Sequence, residues 1–437
     1  LKILHYILGY APMRSGGLEQ YTTSLVNAEV EKGFQVYCLY PLGFDFSSHN
    51  MKIKAEKNSD SLSDKISNFS LINAFPLVLQ GAIYDPKPFM KKQDRNVFIR
   101  FLNTVKPDVI HVHTLMGLPI EFLSVAHEKK IKIVYSTHDY FGISPTPNFF
   151  DPILNKSFDQ DDTVDSWIEA RKFSKPVWKL RVFQLRSYTK IKNLKNAIPS
   201  TDYKKPRAEV VSQKTASMFE DFSRLKKYYA KMFHLIDIWH FNSELTRKVF
   251  KRHLSFPLHG EVIPITNSGV EKICTSDTNK KHSKKKINIG YIGPFQQYKG
   301  FFTLINSFIK SDNNKIQLIL YGDNTAIKLP ANVINKGRFD KAEISKVFSN
   351  IDLLIVPSVW KETFAFTVLE SIESRTPVII SSNVGARDLL PEDYEGVFGT
   401  ENELICLLKK VDLQLIGRLK KQILVPKIGI LDVTRLY

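Results

Sequence analysis

The sequence predicts an α/β protein built on parallel sheets, and three observations carry that reading. Short apolar runs of strand length recur along the chain, with the unbroken Val/Ile/Leu character of strands buried on both faces. Several lead through a short loop into a stretch with helical spacing. Glycine stands at some of those helix entrances, where the exposed backbone amides of α/β proteins receive anionic ligands.

The first unit begins at once. Ile3 to Leu8 reads as a buried strand, Met13 to Gly17 as a loop, and Leu18 starts a helix with Tyr21, Leu25 and Val26 on its apolar side. Gly33 ends that helix, and Val36 to Leu39 is the next strand. The order is that of a Rossmann-like half, but G-x-G-x-x-G is missing, which disfavours a dinucleotide. Ser15-Gly16-Gly17 offers bare amides at the positive end of the helix and suits a phosphate.

Residues 44–106 show no clear pattern. Val109 to His113 is a strand that carries His111 and His113 on one face, and Ile131 to Ser136 is another, followed by Thr137-His138-Asp139-Tyr140. His113 and His138 stand at strand ends, where a parallel sheet meets its ligand, whereas His111 reads as a sheet residue. No third ligand accompanies His111 and His113, so a metal is not expected there.

Between about residue 145 and residue 235 the strand–helix alternation stops. From Arg171 to Lys231 there are 17 Lys or Arg against 4 Asp or Glu, which accounts for most of the net charge of +18. Trp167, Phe173, Trp178, Phe183 and Tyr188 are interleaved with Arg171, Lys172, Lys179, Arg181 and Arg186. Aromatics beside cations suit the headgroups of an anionic membrane, and also suit nucleic acid. Asp159-Gln160-Asp161-Asp162 reads as a solvated charge run. Ile238 to Phe241 is a short strand, Asn242-Ser243 caps a helix over 244–252, and Val262 to Gly269 reads as a further strand. Lys272 to Lys286 reads as an exposed linker.

A second domain is expected from Ile287, where strand, loop and helix recur with Lys299-Gly300 at the helix entrance. Ile316 to Tyr321 is the next strand, ending at Gly322-Asp323. Ile351 to Val356 is a strand, the loop to Ala365 carries Lys361 and Glu362, Phe366 to Ser374 is helical, and Pro377 starts another strand. Glu362 in the loop and Glu370 in the helix are therefore placed to face one cleft.

PSVWKETFAFTVLESIESRTPVI resembles the signature of the large retaining glycosyltransferase family numbered four. That resemblance implies the GT-B fold, two Rossmann-like parallel-sheet domains facing a central cleft. The boundaries expected here are 1–270, with the basic insertion at about 145–235, and 271–437. By the same resemblance Glu362 contacts the donor sugar, Glu370 the ribose and Lys299 the diphosphate, while His138 lies near the reacting sugar. Gly16, Gly17, Arg338, Phe339, Thr363, Phe364 and Ala365 complete the donor site. The family pattern departs here at Pro294, where Arg is usual, and at Ala365 and Arg375, where Gly is usual.

The activity implied is transfer of a sugar, with retention, from a nucleotide-diphosphate sugar such as a UDP-sugar to a glycan hydroxyl, without cofactor or metal. The basic, aromatic-rich insertion suits a lipid-diphosphate-linked glycan acceptor at the membrane face, and ILHYILGYAPMRSGGL is similar to bacterial capsule and exopolysaccharide transferases, which implies repeat-unit assembly for a surface polysaccharide. The alternatives are a UDP-sugar epimerase of the same fold or an inactive donor-binding homologue. Nucleic acid is not expected as a partner, since strands of this kind and phosphate-type loops make a nucleotide cleft. Cys38, Cys274 and Cys406 are too few and too far apart for a disulfide framework or a zinc site, and fit a reducing compartment. No run approaches the ~20 apolar residues of a membrane span, and Leu1 opens on a strand. The expected location is cytoplasmic, peripheral at the inner membrane face through 171–231.

Overall fold

The computed structural model describes the chain except residues 11–12, 15, 46, 49, 58–61, 189–213 and 271–285. Ser15, Cys274, nearly all of the 272–286 linker and the middle of the basic stretch therefore lie outside the described residues. So does residue 271, where the second domain was expected to begin.

Two sheets dominate. The first is formed by β1 (Lys2–Tyr6), β2 (Gln35–Pro41), β3 (Lys52–Glu56), β4 (Ser67–Ile72), β5 (Val109–Val112) and β6 (Lys132–Ser136). A small hairpin, β7 (Phe150–Asp151) and β8 (Lys156–Ser157), stands apart, and β9 (Ile238–Phe241) and β10 (Gly260–Val262) complete the first sheet. Its order is β10-β9-β6-β5-β1-β2-β4-β3, parallel except for β3 against β4. The second sheet contains β11 (Ile287–Ile292), β12 (Ile316–Tyr321), β13 (Val333–Asn335), β14 (Leu353–Val356), β15 (Val378–Ser381) and β16 (Val397–Phe398). Its order is β13-β12-β11-β14-β15-β16, parallel throughout.

The winding direction reverses beside β1 in the first sheet and beside β11 in the second. Loops that leave the carboxyl ends of strands at such a switch point open a crevice, because their helices fall on opposite faces. The loops of interest follow β1, β6, β11 and β14. β5, β14 and β15 are fully buried, as expected of the unbroken apolar run in β14 and the largely apolar β5 and β15, where only His111 and Ser381 interrupt.

The helices obey local rules. Ser243 accepts from the amide of Thr246 and caps the helix Glu244–His253. Thr400 and Glu403 close a capping box on the helix Glu401–Lys410. The segment read as a strand over 262–269 pairs only at Gly260–Val262; beyond it, buried Ile263 and Ile265 continue without a ladder. The end of the chain crosses back to the first sheet as a 3-10 turn (Asp432–Leu436), with the Tyr437 phenol inside the first lobe.

The insertion corrects one expectation. Of the aspartates read as solvated, Asp161 and Asp162 are exposed, Asp162 pairing with Lys226 and His253, whereas Asp159 is buried against Arg252. The Arg252 guanidinium offsets the cost of removing the Asp159 carboxylate from water. Trp167 is core, whereas Trp178 is 65% exposed beside Lys179.

Candidate active site

The two sheets meet at a cleft of about 1160 Å³, and the residues assigned to the donor site by resemblance line it, whereas His113 does not. The first lobe contributes Gly16, Gly17 and His138. The second contributes Lys299, Arg338, Phe339, the run from Glu362 to Ala365, and Glu370. Gly17 opens the helix Gly17–Glu31, and a Cβ built there would stand 3.4 Å from the Phe366 ring of the other lobe. Phe366 opens the helix Phe366–Glu373, so two positive helix ends converge on the cleft from opposite sides.

Lys299 reaches the site through a close backbone approach. Gly300 has φ +72°, and a Cβ on it would lie 1.8 Å from the Pro357 carbonyl oxygen. Only glycine lets the loop after β11 lie against the end of β14 in this way. The Lys299 ammonium pairs there with Glu362, whose other oxygen accepts from the Ser358 hydroxyl. The rings of Trp360 and Tyr298 stand 5.5 and 5.9 Å from the same ammonium. Burial alone pulls the Lys299 pKa down, but Glu362 and Tyr298 outweigh it and the value is raised.

Glu362 is 7% exposed, and its backbone is fixed from both directions by Asn383 and Gly385. Thr363 ties the lobes together: its carbonyl accepts from Ser243 at 2.8 Å, and its hydroxyl donates to the His138 carbonyl at 3.2 Å. Glu244 adds a backbone hydrogen bond to Asp388 at 2.5 Å. Ser243 was legible as a helix cap, but nothing local announced its second contact across the cleft.

The three departures have structural counterparts. Ala365 sits at φ +80° and Arg375 at φ +54°, both in the region that favours glycine. Pro294 lines the cleft with no charge to offer. Arg14 and Arg338 also line it, and sequence reasoning missed Arg14. Burial lowers the pKa of Arg14, with Glu19 acting against that, and its guanidinium donates to the carbonyls of Leu8 and Phe183, each at 2.7 Å.

His113, read as facing the cleft, instead lies fully buried behind His138; their ring nitrogens Nδ1 and Nε2 are 3.3 Å apart. The rings of His138 and Tyr21 lie against the His113 ring, with centroids 5.4 and 6.0 Å away, and His138 takes the place at the cleft. His111 bonds Ser136 and Tyr437 within the sheet. The fold also brings His5 of β1 beside these two, with one ring nitrogen from each of the three residues within 4.8 Å of the others. All of their ring nitrogens already have protein partners. Burial, and secondarily His240, lowers the pKa of His138 to about 3, so the ring is neutral at physiological pH.

Two family models match the chain. The model described as Glycosyltransferase Family 4 matches residues 15–164, and that described as Glycosyl transferases group 1 matches residues 275–422. The chain belongs to glycosyltransferase family 4. The second match contains Lys299, Glu362 and Glu370, and the first contains Gly16, Gly17 and His138.

Solved structures share the GT-B fold of this glycosyltransferase. Sucrose-phosphate synthase from Thermosynechococcus elongatus aligns with a TM-score of 0.53 at 13% identity, covering 100% of this chain and 98% of that one. Anabaena HepE in complex with UDP and glucose aligns with a TM-score of 0.53 at 13% identity, over 99% and 97%. The E. coli trehalose-6-phosphate protein bound with UDP-2-fluoro glucose gives 0.54 at 12% identity, over 100% and 96%.

Among curated relatives, an uncharacterized 41.2 kDa protein in the cps region of Klebsiella pneumoniae is 28% identical over 118 residues, 26% of this chain. Granule-bound starch synthase 1 of Pisum sativum is 24% identical over 128 residues, 27% of this chain. These matches span 33% and 21% of the relatives' own lengths.

Proposed function

We propose that this glycosyltransferase moves a sugar from a nucleoside-diphosphate sugar to a glycan hydroxyl, with retention of configuration and without a metal. The observation that carries the reading is the Lys299–Glu362 pair, held in the same cleft as Glu370, Gly17 and His138. In the reaction the bond between the anomeric carbon and the diphosphate breaks, and a bond to the acceptor oxygen forms on the same face. The acceptor proton passes to the departing diphosphate. Lys299, the Gly17 amide and the end of the helix Phe366–Glu373 offset the charge that develops there. Glu362 holds the sugar hydroxyls, Glu370 holds the ribose, and His138 meets the sugar from the first lobe. Arg338 and Phe339 border the base, and Thr363 to Ala365 line the phosphates.

A UDP-sugar is the donor favoured here, supported by the UDP and UDP-2-fluoro glucose in the neighbouring structures. The cps-region relative supports surface-polysaccharide assembly, and the basic, aromatic stretch around exposed Trp178 is the ground for proposing a lipid-diphosphate-linked acceptor. No helix among the described residues is long and apolar enough to cross a membrane. Association with an anionic surface would run through exposed Trp178 and the lysines beside it.

A thermal-shift screen across nucleotide sugars identifies the donor, and donor turnover is then measured with and without a lipid-linked acceptor. Transfer that is abolished in Glu362→Ala supports the reading. Sugar isomerisation without an acceptor would favour the epimerase, and binding with neither transfer nor hydrolysis would favour the inactive homologue. Flotation with anionic vesicles tests the membrane contact; association indifferent to salt and to Trp178→Ser would remove it.

A further inference from the structure

Behind the cleft runs an unbroken chain of polar contacts that the proposed reaction does not use. It starts at the Ile263 carbonyl, which lies 2.8 Å from His240 Nε2, and His240 Nδ1 is 2.6 Å from the Ser136 hydroxyl. Ser136 meets His111 Nε2 at 2.7 Å, and His111 Nδ1 meets the Tyr437 hydroxyl at 2.8 Å. Tyr437 lies 2.7 Å from Glu29 Oε1, and Glu29 Oε2 lies 2.7 Å from His5 Nε2. His5 Nδ1 is 3.1 Å from His113 Nε2, and His113 Nδ1 is 3.3 Å from His138 Nε2. Apart from Tyr437 and the half-buried His138, the side chains of the chain are fully buried.

Each of those eight contacts needs one proton, because a buried polar pair without one leaves two lone pairs facing each other. Neutral imidazoles, Ser136 and Tyr437 supply seven when Glu29 is a carboxylate. The Ile263 carbonyl can only accept, which fixes His240 with a proton on Nε2. Three arrangements then satisfy every contact, with the eighth proton on Glu29, His111 or His240. They differ only between His240 and Glu29. In all three His5 donates to Glu29, His113 donates to His5, and His138 donates to His113.

We propose that Glu29, His5 and His113 are positioning residues that lock the His138 imidazole as its Nε2–H tautomer, so that the nitrogen left for the cleft is an unprotonated Nδ1. This rests on the reading of His138 as a residue of the donor cleft. Locked in this way, the ring accepts a hydrogen bond from a sugar hydroxyl and cannot donate one, so it selects a substrate hydroxyl rather than a substrate carbonyl or phosphate oxygen. No protein partner occupies Nδ1 among the described contacts, and the ring lines the cleft.

The tautomer is read directly on the whole chain labelled with 15N-histidine, with no donor present. Long-range 1H–15N spectra of the wild type are compared with those of His138→Gln, which identifies the signal. The wild-type ring is expected to show a protonated Nε2 and a bare Nδ1, with no detectable Nδ1–H population. Glu29→Gln preserves that signal, since its amide oxygen accepts from His5 and its N–H donates to Tyr437. His113→Asn preserves it through an acceptor oxygen near the former Nδ1, and His113→Leu loses it to exchange between tautomers.

A measurable Nδ1–H fraction in the wild type overturns the proposal, whatever the variants do. An unchanged single tautomer in folded His113→Leu overturns it as well. Because the spectrum needs no turnover, a lost lock leaves the transferase reading standing. A preserved lock without any transfer would sink only that reading.

Discussion

Replacing Lys299 with Met separates what the ammonium does for the fold from what it does for the donor. The variant keeps the aliphatic stem but leaves Glu362, 9% exposed in its side chain, with the Ser358 hydroxyl and no cation. Removing one partner of a fully buried pair costs roughly 3–5 kcal/mol. The Lys299 side chain is 26% exposed, so water recovers part of that loss and about 2–3 kcal/mol is expected. Glu362→Gln alone strands the cation beside Trp360 and Tyr298 and costs less, because the ring faces still attract it. In the double variant Lys299→Met/Glu362→Gln no charge is buried, and the loss returns to within about 1 kcal/mol of the wild type. Urea unfolding midpoints measure all four proteins, and donor turnover is measured in parallel. Stability is expected to recover in the double variant while turnover stays lost, since the departing diphosphate then lacks the full positive charge of Lys299 and keeps the two helix ends. Strictly additive losses would refute the coupling, and recovered turnover would refute a role for Lys299 at the donor.

Two further outcomes follow from the same geometry. Gly300→Ala puts a methyl group 1.8 Å from the Pro357 carbonyl at φ +72°, so the loop must shift and carry Lys299 away from Glu362. A loss of about 2 kcal/mol or more is expected in thermal or urea unfolding, with donor binding weakened; an unchanged midpoint would contradict the packing. Acidification tests the buried imidazoles. Burial lowers His138 to about 3 and His240 to about 4 from 6.5, so the unfolded chain takes up protons below pH 6.5 that the folded chain refuses. Each ring then costs about 2 kcal/mol at pH 5, and His111 and His113 are lowered in the same sense. Burial raises Asp139 from 3.8 to about 7 and works oppositely, adding stability as pH falls through that window. Unfolding free energy in Asp139→Asn should therefore fall more steeply from pH 7 to pH 5 than in the wild type; a flat or rising profile in that variant would refute the assignment.

The strand–loop–helix units were legible because each is written locally: an apolar run that water rejects on both faces, then a turn residue, then helical spacing. Ala365 and Arg375 stood out only against the family pattern, and only Arg375 stands in it at a helix-ending left-handed position. A position that needs positive φ shows itself when glycine is displaced, and both residues adopt it, at a cost on the order of 1 kcal/mol each. Contacts between distant loops were not written locally. Lys299 and Glu362 are 63 residues apart, and their meeting depends on β11 pairing with β14, which neither strand's pattern specifies. The same holds for Asp159 and Asp162, whose cationic partners are supplied by later helices.

The histidines show most plainly where pattern ends and pairing begins. Alternation put His111 and His113 on one face of β5, which the structure bears out with ring centroids 4.0 Å apart. Alternation says nothing about which strand lies alongside. The register of β1 on β5 sets His5 opposite His111, and β6 and β9 bring Ser136 opposite His240. Four parallel strands thereby align their polar residues into one row, and the loop after β6 carries His138 to the end of it. The residue at the cleft was visible from its strand-end position. What holds its ring was invisible, because it is assembled from strand order, and strand order is the part of a parallel sheet that hydrophobic patterning leaves open.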